Sequence, residues 1–190
     1  MLPQYNSFME TAKDAVFQSL AYILGYDLEK NPEIAEEAIR FSWPTGSGSQ
    51  AFAATPTTDI CYIRMTAVNK EGDGYINTNY SLGGSGKPLN TEMNMHISLR
   101  ADYIFYGPNA HEHATRLYMM INSYEVRQIL ASASMAPIPH EELPTAMAEL
   151  VDGNWYERFD AGINFYMLVR YNGTVNALLE APDIVTEINE

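Results

Sequence analysis

The clearest pattern along the chain is strict alternation over residues 92–106. Met93, Met95, Ile97, Leu99, Ala101, Tyr103 and Phe105 fall on one face, and Asn94, His96, Ser98, Arg100 and Asp102 on the other. A period of two is that of a half-buried β-strand. Residues 155–171 repeat it: Trp155, Phe159, Ala161, Ile163, Phe165, Met167, Val169 and Tyr171 form an apolar row that Glu157 interrupts, opposite Arg158, Asp160, Asn164 and Arg170. Trp155 is expected to begin the core-facing row. A third strand is predicted over 59–68, with Cys61, Ile63, Met65 and Ala67 opposite Tyr62, Arg64 and Thr66. Two of these strands far exceed the common length of about five or six residues. All three are apolar on one side only, which predicts an antiparallel sheet with its apolar face covered by helices.

The helices are predicted from a different period. Phe8, Ala12, Ala15, Val16, Ser19, Leu20 and Ile23 recur at helical spacing. A helix over 7–24 follows, with Ser7 as N-cap and Gly25 as stop. A short helix is expected over 31–40, where Pro32 suits the first turn and Glu33, Glu36 and Glu37 suit its dipole. Ala110, Ala114, Leu117 and Ile121 mark a helix over 108–122 that Pro108 would open, and further turns run through Val126, Ile129 and Leu130. Residues 145–151 fit neither period. The polar segment 70–91 holds glycines 72, 74, 83, 84 and 86 and reads as a long Gly-rich loop. The predicted fold class is α/β (α+β), a mainly antiparallel sheet with helices packed on one face. One domain is expected over 1–190, with 176–190 as a candidate extended C-terminal arm.

Charge narrows the partners. Eleven basic against 24 acidic residues give a net charge of −13 over 190 residues. Such a surface repels phosphate, which argues against nucleic-acid recognition and against anionic membranes. Apolar residues make up 46% of the chain, enough for a substantial core. The single cysteine, Cys61, allows no internal disulfide and suits a reducing compartment. No apolar run is long enough to span a bilayer. The first residues lack the basic-then-apolar order of a secretory leader, so the sequon at Asn172 is expected to be silent.

The candidate chemistry is sparse. Asn69, Glu71, Asp73 and Asn77 place oxygens at positions 1, 3, 5 and 9 of a calcium-loop spacing, with Gly74 at position 6. Position 12 is Tyr80 where a bidentate Glu belongs, and a strand precedes the loop, so a Gly-Asp-Gly turn explains the same residues. In His111-Glu112-His113, adjacent residues point about 100° apart on a helix, and Thr115 stands where an i+4 ligand to His111 would be needed. Gly83–Lys87 lacks the spacing of a phosphate loop. Cys61 faces the expected core, where a thiolate is disfavoured. No catalytic residue, cofactor or firm metal site is expected. Tyr62, Tyr156 and Tyr166 stand on polar strand faces, a placement that favours protein interfaces. The interface candidates are Tyr75, Asn77, Asn79, Tyr80, Lys87, Tyr156, Arg158, Asp160 and Tyr166.

The order of these pieces resembles a known family. A strand ends in Tyr106-Gly107-Pro108-Asn109-Ala110 and runs into a helix with Arg116-Leu117 and then Arg127-Gln128-Ile129-Leu130. A proline-rich stretch leads to Trp155-Tyr156-Glu157-Arg158-Phe159-Asp160-Ala161-Gly162-Ile163-Asn164-Phe165. Over roughly 55–171 this is similar to the tail or neck terminator proteins of tailed bacteriophages. The resemblance implies a virion structural protein, assembled in the host cytoplasm, that forms a homo-oligomeric ring. The ring, hexameric in that family, caps the tail tube and joins it to a head-completion, connector or neck protein. DNA would be only passing cargo, and six such chains would present a repelling charge of about −78. A head-completion, connector or baseplate adaptor is an alternative. A small enzyme or binding module with a calcium-supported loop at 69–80 is another.

Overall fold

A computed structural model describes residues 5–41, 57–68, 73–81, 88–139, 143–151 and 153–175. Helix α1 (Tyr5–Leu24) and helix α2 (Pro32–Ala38) lead into a two-residue strand β1 (Ile39–Arg40). Strands β2 (Ile60–Val68), β3 (Ile76–Ser81) and β4 (Leu89–Tyr106) follow. Helices α3 (Ala110–Met120) and α4 (Tyr124–Ser132) then precede β5 (Met135–Pro137), β6 (Thr145–Val151) and β7 (Asn154–Val175). The seven described strands form one mixed, mostly antiparallel sheet, ordered β1-β2-β4-β7-β5, with β3 on β4 and β6 on β7.

The registers reduce this list to four lanes. Strand β2 pairs with residues 98–106 of β4 and β3 with residues 90–95, both antiparallel. Since β7 occupies the other flank of β4 from Leu89 to Tyr106, β2 and β3 are one interrupted lane. On the far side, β5 pairs with residues 165–167 of β7 and β6 with residues 154–160, again antiparallel and again one interrupted lane. The sheet is therefore an inner pair, β4 and β7, between two outer lanes. Parallel β1 adds only at the β2 edge.

The helices cover one face. Cys61, Ile63, Leu99, Ala101, Tyr103, Phe105, Ala161, Ile163, Phe165 and Met167 are buried there. Beneath them lie Ala12, Val16, Leu20 and Ile23 of α1, Ala114 and Leu117 of α3, and Val126 and Leu130 of α4. The alternation that predicted the strands thus selects the core. A smaller cluster of Ile60, Tyr62, Ile104 and Tyr106 sits on the opposite face.

Helix α1 stops at Gly25, whose φ of 86° lets Tyr26 N–H reach Ala21 O and Gly25 N–H reach Tyr22 O, a Schellman cap. Several expectations need correction, among them the N-cap at Ser7, which lies inside α1, and the helix over 31–40, which ends at Ala38 where β1 begins. The segment 70–91 is not one loop: it contains β3 and the start of β4, because its polar residues alternate across a narrow ribbon that one-sided hydrophobicity does not reveal. Residues 69–72 and 82–87 lie outside the described residues, as does the expected arm at 176–190. Residues 145–151 form β6. Pro108 does not open α3, which starts at Ala110; Asp59 accepts from both Asn109 N–H and Asn109 Nδ2, each at 2.8 Å, and fixes the chain before the helix begins. Trp155 is not in the core. It lies on the helix-bearing face, but where β6 and β7 run past the end of β4, and it is 71% exposed.

Candidate functional site

The interface candidates gather at two places. Tyr75, Asn77, Asn79 and Tyr80 lie on or beside β3, at the end of the sheet where β4 begins and β7 ends. Tyr75 and Tyr80 are exposed, with Ile76 and Tyr171 beside them. The projecting ribbon has few charges of its own. Tyr156, Arg158, Asp160 and Tyr166 lie instead along the helix-free face of β7. Tyr156 packs on the small aromatic cluster, whose Tyr62 and Tyr106 rings meet edge to face at 6.0 Å. Tyr166 is exposed. Lys87 lies outside the described residues.

Arg158 and Asp160 are tied to each other. One guanidinium nitrogen of Arg158 donates to Glu149 Oε2 at 2.8 Å and another to Asp160 Oδ2 at 2.8 Å. The Tyr106 hydroxyl donates to the same Glu149 oxygen. Burial raises the Tyr106 hydroxyl's pKa, and the neighbouring carboxylate raises it further. Burial alone would raise the Glu149 carboxyl, but the hydrogen bonds from Tyr106 and Arg158 outweigh it and hold the group below its usual range. Asp160 goes the other way: burial raises it despite Arg158, with Glu149 and Asp102 nearby adding to the rise. Arg158 and Asp160 line a cleft of about 400 Å³ together with Arg100, Asp102, Leu143, Thr145 and Met147. Arg100 Nε donates to Asp102 Oδ1 at 2.7 Å, and its guanidinium lies over Gly162, where a side chain would collide with it.

Glu149 and Tyr106 were not foreseen as members of this group. The sequence signal for Glu149 was its alternation with Met147 and Thr145, hidden by the small residues Ala146 and Ala148. Replacing Arg158 with Met would leave two carboxylates facing each other. Because these side chains keep 17–33% exposure, water moderates the cost. A loss of about 1–3 kcal/mol at neutral pH is expected in a denaturant titration. The deficit should shrink towards about pH 4 as the carboxylates neutralise.

Of the calcium-loop candidates, Asp73 and Asn77 are described, and each takes part in the sheet. Asp73 Oδ2 accepts from Ser98 N–H and Oδ1 from Ser98 Oγ, each at 3.0 Å, while Gly74 N–H donates to His96 O. Asp73 thereby fastens the junction between β2 and β3 to β4. Asn77 lies within β3, opposite Asn94. Asn69 and Glu71 fall outside the described residues. Among the described residues no group of three metal-ligating side chains occurs. His111 packs on Phe159 at 4.9 Å and His113 against Phe105 at 6.4 Å, and burial lowers the pKa of His113. No described helix is long and apolar enough to cross a membrane.

No curated protein matches the chain. A family model described as phage neck terminator protein matches residues 38–190, from the end of α2 through the whole sheet, α3 and α4. With most of its length and every element of its sheet inside that match, the chain belongs to the phage neck terminator protein family, which makes it a structural component of the bacteriophage neck.

Proposed function

We propose that the chain terminates the tail by closing into a ring, most simply a hexamer, on the end of the tail tube. The ring then presents a surface to a head-completion, connector or neck protein. The observation that carries this reading is the family match across the whole sheet. The architecture supports it: the sheet projects beyond the helical layer at both ends, through β3, β4 and β7 at one and through β6 and β7 at the other, and each end carries exposed large apolar side chains. Single exposed apolar residues are ordinary, but groups of them on projecting ribbons mark contact surfaces. An acidic ring also suits DNA transit, since its lumen would not retain a polyanion.

The test is the native mass of the purified protein, alone and mixed with its tail-tube protein. A ring of six chains in either sample is the expected result, with tube growth halted where the ring binds. A monomer in both samples, with tube length unaffected, would overturn the reading in favour of a head-completion or baseplate adaptor.

A further inference from the structure

Two edge segments of the sheet without a strand on their outer side among the described residues, β3 and β6, lie at opposite corners. Strand β3 pairs only with β4, at the end where β4 starts. Strand β6 pairs only with β7, at the end where β7 starts. They are similar in length, six and seven residues. Open edges are normally blunted by lysine, proline or inward charge, because their free N–H and C=O groups recruit other strands. Strand β3, Ile-Asn-Thr-Asn-Tyr-Ser, has none of these. Strand β6 has one charge, Glu149, which is ion-paired with Arg158 and hydrogen-bonded by Tyr106.

From this we infer that β3 of one copy pairs antiparallel with β6 of the next, joining neighbouring sheets around the ring. The inference rests on the ring reading above. Three features single out a second copy as the occupant. First, a chain of net charge −13 can approach another only through patches that bring no acids together, and these two edges meet that condition. Second, the strand directions fit. The lane of β2 and β3 runs opposite to β4, β4 opposite to β7, and β7 opposite to the lane of β5 and β6. With four alternating lanes, the outermost two run in opposite directions. Adding the next copy continues the alternation and keeps all helices on one side. Third, diagonal placement makes the contact heterologous, head to tail, which is the kind that closes rings of more than two copies. Exposed Ile76 and Tyr80 on one ribbon, and Leu150 and Trp155 on the other, would shield the new ladder from water.

Paired cysteines test this without background, because the only native thiol, Cys61, is buried and burial raises its pKa well above normal. The positions Asn77 and Asn79 on β3, and Thr145 and Met147 on β6, are exposed and share the helix-free face. Each β3 cysteine is combined with each β6 cysteine, and ring formation is followed by native mass while disulfides are read on a non-reducing gel. The expected result is a covalent ladder ending at the closed ring in at least one double variant, with every single variant remaining uncrosslinked. A covalent dimer from N77C or N79C alone would show two-fold β3–β3 pairing and overturn the inference. Intact rings with no cross-link in any of the four pairings would overturn it while leaving the ring reading standing. Absence of both rings and cross-links in the presence of tube protein would overturn the two together.

Discussion

Replacing Gly107 with alanine is expected to cost at least about 3 kcal/mol and to lower the melting temperature by roughly 10 °C. Gly107 joins β4 to α3 with a φ of 107°, a conformation that L side chains rarely adopt. Space is lacking as well. A Cβ there would stand 2.6 Å from Asp59 Oδ1, 2.6 Å from Thr58 O and 2.7 Å from Asp59 Cα. Two of those three atoms are backbone, so no rotamer change relieves the overlap. The residues displaced lead into β2, and Asp59 is the group that holds Asn109 before α3. One methyl group would therefore push apart the entry of an outer lane and the start of a covering helix. Thermal unfolding followed by circular dichroism measures it. A shift within about 2 °C would mean that the junction relaxes freely, contrary to its packing.

Phe165→Ala and Trp155→Ala should diverge sharply, although both residues lie on β7 and project from the same face. Phe165 is fully buried beneath the helices. Its truncation removes a large side chain from a site that cannot collapse, at about 3–5 kcal/mol. Trp155 keeps 71% exposure on the projecting ribbon, so its loss should cost under about 1 kcal/mol of folding stability. Denaturant titrations of both variants decide the matter. Comparable losses would show that the ribbon is part of the cooperative core. Where the Trp155 variant folds normally, its failure or success in ring formation reports directly on the projecting end.

The alternation over 92–106 was legible because every second residue there from Met93 is apolar, and the same holds for Ala161 to Val169. Helix α1 was legible for the analogous reason at a period of 3.6, and Gly25 marked its end. What alternation cannot report is how far the covering layer extends. Trp155 obeys the pattern of its strand, yet no described helix lies over it. Strand β3 escaped detection for the opposite reason. Its residues are mostly polar on both faces, because the ribbon meets water on both sides. Tyrosines at 75 and 80 were the visible trace of that ribbon. The ion-pair group was half legible: Arg158 and Asp160 share a face at i, i+2, but Glu149 joins them only through the β6–β7 register.

The two inner strands have a consequence during synthesis. Leu89 pairs with Val175 and Tyr106 with Arg158, so α3, α4, β5 and β6 are all translated between the two halves of the central ladder. At typical elongation rates of about 5–20 residues per second, β4 waits on the order of several seconds for its partner. During that interval its long edge is open to other nascent chains made on the same message. Long-range pairing of this kind also folds slowly, in milliseconds to seconds. A phage that makes many copies of this chain at once therefore runs a race between β7 arriving and a neighbour's β4 intruding, and slower ribosomes would tilt that race towards aggregation.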